Sequence, residues 1–375
     1  MPYHRGLGLV DLIIHSFTLQ ILSLPYLFMS STQSVRVLLL QDLTTSSNWG
    51  GVQTMTLTLQ LALQERGFLV TALPWQQTKF GKLLAAAREC DVLVASHNFG
   101  PTYCGVALKT LTRKPLISWV HGPLLNVLQM SEAASWKRLW LKHVYNYVDR
   151  FVCVSQTTEV SLLGFLSSIP TVVIPNGLTP LAKDSGSFVF DEYAAQKNLS
   201  IGYVGRLSEE KRPHLLIETL RALPASTSLC IVGDGELRQT LESAGKDLIA
   251  NGRLRFLGHQ ASGQNLYKPY QVTLLTSQFE GFGMAALESL SCGVPCVTLP
   301  IPAMRELFAH DAPYLLAHNE TPEALAIALM NLVHIPIEQI HADMARILSK
   351  YALSRFAKSW QTTLEDLLIL SARKV

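Results

Sequence analysis

Short runs rich in Val, Ile and Leu alternate along most of the chain with longer stretches of helical periodicity, and this alternation constrains the fold more than any other feature. Strands that read as near-continuous apolar runs are buried on both faces, as in a parallel sheet covered by helices. Strand candidates fall at 35–41, 69–73, 91–96, 115–120, 151–155 and 171–174, with helical stretches at 51–66, 103–112 and 135–148 between them. After an irregular polar segment, 179–198, the pattern restarts, with strands near 200–204, 228–232, 254–257, 272–276 and 294–299. Such a restart predicts an α/β molecule of two similar doubly wound domains facing each other across a cleft. The expected division is an N-terminal extension 1–34, a first domain 35–178, a linker 179–198, a second domain 199–353 and a tail 354–375 of helical pattern.

With 375 residues, 48% of them hydrophobic, the chain has enough apolar surface for two cores. A formal charge of +3, not gathered in a tail, gives little support to nucleic-acid binding. The six cysteines, at 90, 104, 153, 230, 292 and 296, lie mostly within or beside apolar runs, with no Cys-x-x-Cys pair near histidines. They read as buried thiols of a reducing, cytoplasmic compartment. Residues 7–28 have the apolar look of a signal or anchor, but Asp11 sits inside the stretch. One Asp at a bilayer centre costs roughly 2.5–3.5 kcal/mol, and no clean small-residue cleavage site follows. The expectation is that Met29 is the natural start, with a membrane anchor at 7–28 as the competing reading.

Ligands of open parallel sheets bind beyond the carboxyl ends of the strands, so the loops there are the places to search. The first such loop ends in Gly50-Gly51 before a helix, where bare backbone amides approach an anion closely; a plain tight turn is the alternative. His121 follows strand 116–120 in Trp-Val-His-Gly-Pro, with proton chemistry, substrate hydrogen bonding and loop capping all open. The second domain's first strand runs into Gly205-Arg206-Leu-Ser208-Glu-Glu-Lys211. Here Ser208 is expected to cap the next helix, and Arg206 and Lys211 would suit a diphosphate. Gly233-Asp-Gly235 reads as a structural turn. The segment Glu280-Gly-Phe-Gly-Met-Ala-Ala-Leu-Glu288 joins a strand to a helix, with Gly281 and Gly283 freeing amides at the helix start. Its two carboxylates suit vicinal hydroxyls, one pair on a sugar and one on a ribose.

Taken alone, Gly281-Phe-Gly283-Met-Ala-Ala also fits the loose dinucleotide fingerprint, so an oxidoreductase is the alternative. Against it, the region near 300 reads Thr-Leu-Pro-Ile-Pro and offers no acidic residue for a ribose, and the motif comes late in its domain. No phosphate-loop Gly-Lys-Ser/Thr occurs.

In combination, Gly50-Gly51, His121-Gly122, Pro175-Asn176-Gly177, Gly205-Arg206 with Lys211, and Glu280-x7-Glu288 resemble the retaining glycosyltransferases of family four, over residues 35 to about 300. The resemblance implies the GT-B fold, a nucleotide diphosphate sugar (UDP or GDP) held by the second domain, transfer with retention, and no metal or other cofactor. It assigns Arg206 and Lys211 to the diphosphate, Glu280 and the amides of Phe282, Gly283 and Met284 to the donor sugar, and Glu288 to the ribose. His121 and the Gly51 loop would line the N-terminal side, and Gly205 would open the diphosphate loop. Gly122 stands where many relatives carry Asp, which leaves proton handling by His121 open. The fold it implies often carries its last helix back onto the first domain.

The acceptor is less legible. Residues 135–148, Ser-Trp-Lys-Arg-Leu-Trp-Leu-Lys-His-Val-Tyr-Asn-Tyr-Val, suit either a helix packed on the sheet with its lysines in water or a peripheral contact with an anionic membrane. The second reading brings a lipid-linked or lipopolysaccharide-type acceptor at the inner face of the cytoplasmic membrane. A protein that binds sugar nucleotides without catalysis is a further alternative.

Overall fold

The computed structural model describes residues 34–42, 51–178, 199–260 and 266–373. Residues 1–33 of the N-terminal extension, Gly50 and the segment 179–198 therefore lie outside the described residues.

The first half alternates strand and helix: β1 (Arg36–Gln41), α1 (Gly51–Glu65), β2 (Leu69–Pro74), α2 (Phe80–Glu89), β3 (Val92–Ala95), α3 (Gly100–Thr112) and β4 (Leu116–Val120). Two helices, α4 (Leu124–Met130) and α5 (Ser135–Tyr145), precede β5 (Arg150–Cys153), α6 (Gln156–Phe165) and β6 (Thr171–Val173). The strands form a parallel sheet in the order β2-β1-β3-β4-β5-β6. Alternate residues go to opposite faces: Leu38, Leu40, Leu93 and Val120 to one, and Val37, Leu39, Val94 and Trp119 to the other. Both faces of the inner strands β1, β3, β4 and β5 are buried, which is why these strands read as unbroken apolar runs.

The second half holds β7 (Ser200–Val204), α7 (His214–Ala222), β8 (Ser228–Val232), α8 (Arg238–Ala244), α9 (Lys246–Ala250), β9 (Leu254–Gly258) and β10 (Val272–Leu275). It continues through α10 (Met284–Ser291), β11 (Cys296–Thr298), α11 (Pro302–Phe308), α12 (Pro322–Leu332), α13 (Ile337–Lys350) and α14 (Leu353–Ala372). The second parallel sheet has the order β11-β10-β7-β8-β9, so the winding reverses between β7 and β10. In the first sheet the reversal falls between β1 and β3. Loops on either side of a reversal part to leave a crevice, and the crevice fixes where a ligand fits.

The last helix does not stay with the second sheet. Trp360 of α14 meets Trp119 of β4 edge-on with ring centroids 5.0 Å apart, and Arg66, after α1, donates to Gln361 Oε1 at 2.7 Å. Both tryptophans are fully buried, so the first domain's core is completed by residues from the chain's far end. Among the described residues no single helix is long and apolar enough to cross a membrane.

Candidate active site

The crevice of the second domain lies between the loops that follow β7 and β10, and those loops are tied together before any ligand arrives. Thr276 Oγ1 donates to the Lys211 carbonyl at 2.8 Å, and Gln278 N to the Glu210 carbonyl at 2.8 Å. Arg212, left-handed at φ 42°, donates through Nε to the Thr276 carbonyl at 3.2 Å and pairs with Glu320 at 2.9 Å. The next loop supports this floor from below. Gly233 adopts φ 139° and a methyl there would overlap the Gly205 carbonyl, while one on Gly235 would lie 2.3 Å from the Leu207 carbonyl. The Gly233–Gly235 turn is therefore a packing device.

On this floor Lys211 Nζ meets Glu280 Oε1 at 2.6 Å, and Ser277 Oγ donates to the same oxygen at 2.7 Å. The two charges that the sequence assigns to diphosphate and sugar thus share one half-buried ion pair, with side-chain exposures of 25% and 14%. Arg206 is exposed beside it and forms no ion pair among the described residues, while its carbonyl accepts from Tyr203 Oη at 2.8 Å. The local helix differs from the expected one. Glu209–Lys211 is a single 3₁₀ turn that ends in Lys211, and the Ser208 hydroxyl makes no cap bond and is buried without a partner. Lys211 consequently projects from the end of a tight turn instead of the first turn of α7.

Gly283 caps α10 at φ 90°, and a methyl there would lie 2.2 Å from Met304 Cε. One helical turn on, Glu288 Oε2 accepts from Tyr267 Oη at 2.6 Å. Burial raises this carboxyl above the ordinary range while the Tyr267 bond holds it down. Burial likewise keeps the phenol protonated, so the tyrosine is a fixed donor that orients Glu288.

Across the cleft, the first domain contributes the ends of its own strands. His121 follows β4 and His97 follows β3, and the two rings stack with centroids 6.3 Å apart. Burial drives the His121 pKa down to about 3, helped by His97 and opposed by a backbone hydrogen bond to Ser96. The residue keeps some exposed surface, but its Nε2 is enclosed and without a partner, so the ring's titration follows the enclosed nitrogen. His97 is pulled the same way by burial, against the charge of Asp42. His121 is a neutral hydrogen-bonding group near neutral pH and not a resident acid.

The two walls touch at the donor loop. A methyl on Gly281 would lie 1.7 Å from the His121 carbonyl, and Ser155 Oγ donates to the Gly281 carbonyl at 2.5 Å. Glu306 of α11 reaches over to the N-terminus of α6, accepting from Gln156 N at 2.9 Å and Thr157 N at 3.1 Å. A methyl on Gly51, at the start of α1, would meet Met284 Cγ at 3.9 Å. Phe282 is buried edge-on to Tyr351 at 5.2 Å. The structure therefore gathers His121, Gly51, Glu280, Phe282, Gly283 and Met284 at one junction, with Arg206, Lys211 and Glu288 on the second-domain side.

Four residues of this site escape a reading of the sequence. His97 has the same signal as His121, a histidine just beyond an apolar strand, in Val-Ala-Ser-His. Ser155 carries only the signal of a helix cap, and Tyr267 and Glu306 carry none, because the contacts that bring all three to the site are made far away in the chain.

Two family models divide the chain between them: "Glycosyltransferase Family 4" over residues 70–180 and "Glycosyl transferases group 1" over residues 188–355. The chain belongs to glycosyltransferase family four, and its fold is GT-B. A GDP-mannose-dependent alpha-(1-6)-phosphatidylinositol dimannoside mannosyltransferase of Mycobacterium tuberculosis is 30% identical over 58% of this chain and 58% of its own length. The GtfA subunit of a UDP-N-acetylglucosamine–peptide N-acetylglucosaminyltransferase from Streptococcus agalactiae is 29% identical over 66% of this chain and 52% of its own. The chain thus spans only a little over half the length of these curated relatives. Among solved structures, HepE of Anabaena in complex with UDP-glucose superposes with a TM-score of 0.72 at 20% identity, covering 88% of this chain and 99% of that one. At that identity the match speaks for the fold alone. Within this fold the Gly281-x-Gly283 loop follows the fourth strand of its domain in chain order.

Proposed function

We propose that this family-four chain transfers a sugar from a nucleotide diphosphate sugar to a glycan or lipid-linked saccharide, with retention and without a metal ion. The observation that carries the reading is the Lys211–Glu280 ion pair, set at the winding reversal of the second sheet beside the Gly283-capped start of α10. A lysine has three donors, and one spent on Glu280 leaves two for phosphate oxygens. Exposed Arg206 adds a second cation within reach of a diphosphate, and the amides at the start of α10 add fixed partial positive charge. Negative charge developing on a departing diphosphate is stabilised by such preorganised groups in place of a metal. Both bonds to Glu280 land on Oε1, and its Oε2 is the oxygen offered to a sugar hydroxyl. Glu288, steadied by Tyr267, is offered to the ribose.

In this reading the acceptor hydroxyl attacks the anomeric carbon on the face the diphosphate is leaving. The carbon–oxygen bond to phosphate breaks, its electron pair goes to the diphosphate, and the acceptor proton passes to the departing phosphate oxygen. His121, held neutral, donates or accepts a hydrogen bond to the sugar and carries no proton through the cycle. The relatives named above use UDP- and GDP-sugars, so both donors belong in a screen, and the enzyme would work in the cytoplasm, with 135–148 against the inner face of the membrane.

The test is thermal stabilisation by UDP, GDP, ADP and NAD, followed by transfer from the sugar nucleotide whose diphosphate stabilises most. Glu280→Gln should lower kcat/KM by about a hundredfold or more, as loss of a charge-stabilising contact does. Stabilisation by NAD alone would sink the reading; a wild type that binds donor but turns nothing over would favour a binding protein. An inverted product anomer, or activity abolished by a chelator and restored by a divalent ion, would overturn retention or metal independence.

A further inference from the structure

The outer face of α5 is apolar where a helix of a globular domain is ordinarily polar. Trp136, Leu139 and Trp140 are 67%, 71% and 57% exposed, and Tyr147 just beyond the helix is 45% exposed. The helix turns Leu141, Val144 and Tyr145 inward to the first domain's core, so these rings are not displaced core residues. They are the opposite side of a helix that already has its apolar stripe buried. Trp140, His143 and Tyr147 form a continuous aromatic row, with centroid separations of 5.9 and 5.3 Å.

Charge accompanies the rings. The stretch 133–148 contains Lys137, Arg138, Lys142 and no acidic residue. None of the three cations forms an ion pair among the described residues. Lys137 Nζ lies over the Trp136 ring at 5.6 Å and Lys142 Nζ over the Phe165 ring at 5.1 Å, so each ammonium rests on an aromatic face with no carboxylate among the described residues to neutralise it. Arg138 is spent within the fold, donating to the carbonyls of Ala133 at 3.0 Å and Leu128 at 3.3 Å and so pinning α5 to the end of α4.

Exposed tryptophan and leucine interleaved with unpaired lysine match one environment, the headgroup level of an anionic bilayer. A partner protein would have to offer both an apolar trough and a ring of carboxylates in register with one short helix, whereas an anionic bilayer offers both at every point of its surface. We infer that α5 docks this chain on anionic lipid, with Trp136, Leu139 and Trp140 entering the headgroup layer and Lys137 and Lys142 meeting lipid phosphates. The neighbouring helices give the docking a direction. α4 begins directly after His121-Gly122-Pro123, and α6 is capped by Ser155, whose hydroxyl holds the donor loop. Its purpose rests on the proposed lipid-linked acceptor, which would then stand at the mouth of the cleft; the docking itself needs neither donor nor acceptor.

The experiment is co-sedimentation of the full chain with vesicles of phosphatidylcholine alone or mixed with phosphatidylglycerol, read together with tryptophan fluorescence. Binding is expected only with phosphatidylglycerol, with a blue shift and with loss at high salt. Lys137→Gln with Lys142→Gln should weaken it by roughly fivefold per lysine. Trp136→Ser with Leu139→Ser and Trp140→Ser should weaken it at least as much and remove the blue shift. All five side chains are exposed, so thermal midpoint and donor hydrolysis should stay at the wild-type level, which separates failure of docking from failure of the transferase reading. Equal binding of the serine variant, binding without dependence on phosphatidylglycerol, or no vesicle binding at all would overturn the inference. So would concentration-dependent self-association that the serine variant abolishes, which would make a second copy the occupant.

Discussion

Gly281 has no room for a methyl group, because the His121 carbonyl of the other domain stands where the carbon would go. Gly281→Ala must push the donor loop away from the first domain, and the cleft can relieve the clash by opening. The expected result is a fall in kcat/KM of at least about tenfold, roughly 1.4 kcal/mol, with little change in thermal midpoint. Wild-type turnover in this variant would mean that the closed junction is not the working one. His121 supplies a second test at this scale. Its pKa falls from the ordinary 6.5 to about 3 on folding, so the unfolded chain binds the extra proton. The stability it contributes is complete above about pH 6.5 and is lost as pH falls toward 3, by up to about 1.4 kcal/mol per unit. Urea unfolding at pH 7 and pH 5 should show this slope in the wild type, and the slope should flatten in His121→Gln.

At the scale of elements, α6 is capped from two sides. Ser155 bonds the Thr158 amide in a capping box, and Glu306 takes the two amides before it from the other domain. A carboxylate at a helix N-terminus contributes about 0.3–1 kcal/mol, so Glu306→Ala should shift the balance of closed and open cleft by roughly two- to fivefold. Donor KM should rise by that factor with kcat nearly unchanged; an unchanged KM would show that the latch does not bear on the donor. Elements are legible in the sequence where burial imposes its own pattern. All the expected strands exist within a residue or two, and the central ones, β1, β3, β4 and β10, are the plainest because strands buried on both faces are apolar throughout. Helix α3 begins three residues before its periodicity suggests, because Gly100-Pro101 reads as a loop, whereas proline suits the first turn of a helix. The site is legible where its residues follow strands, as Arg206, Lys211 and Glu280 do. Glu306 and Tyr267 are not, because a contact made across the fold leaves no mark on the sequence around either partner.

Across the whole molecule, the first domain depends on the last helix. Trp360 fills the space over Trp119 and Phe356, and Trp360→Ala should cost about 3–5 kcal/mol, seen as a lower urea midpoint. A change confined to the second domain's unfolding would contradict the packing. The dependence also has a consequence in time. A ribosome delivers Trp119 long before Trp360, with the entire second domain synthesised in the interval. Until α14 emerges, the nascent first domain carries an uncovered tryptophan on a finished sheet, a sticky surface that a chaperone must shield or that neighbouring chains will find. Vectorial synthesis, and not catalysis, is where this arrangement leaves the molecule most vulnerable.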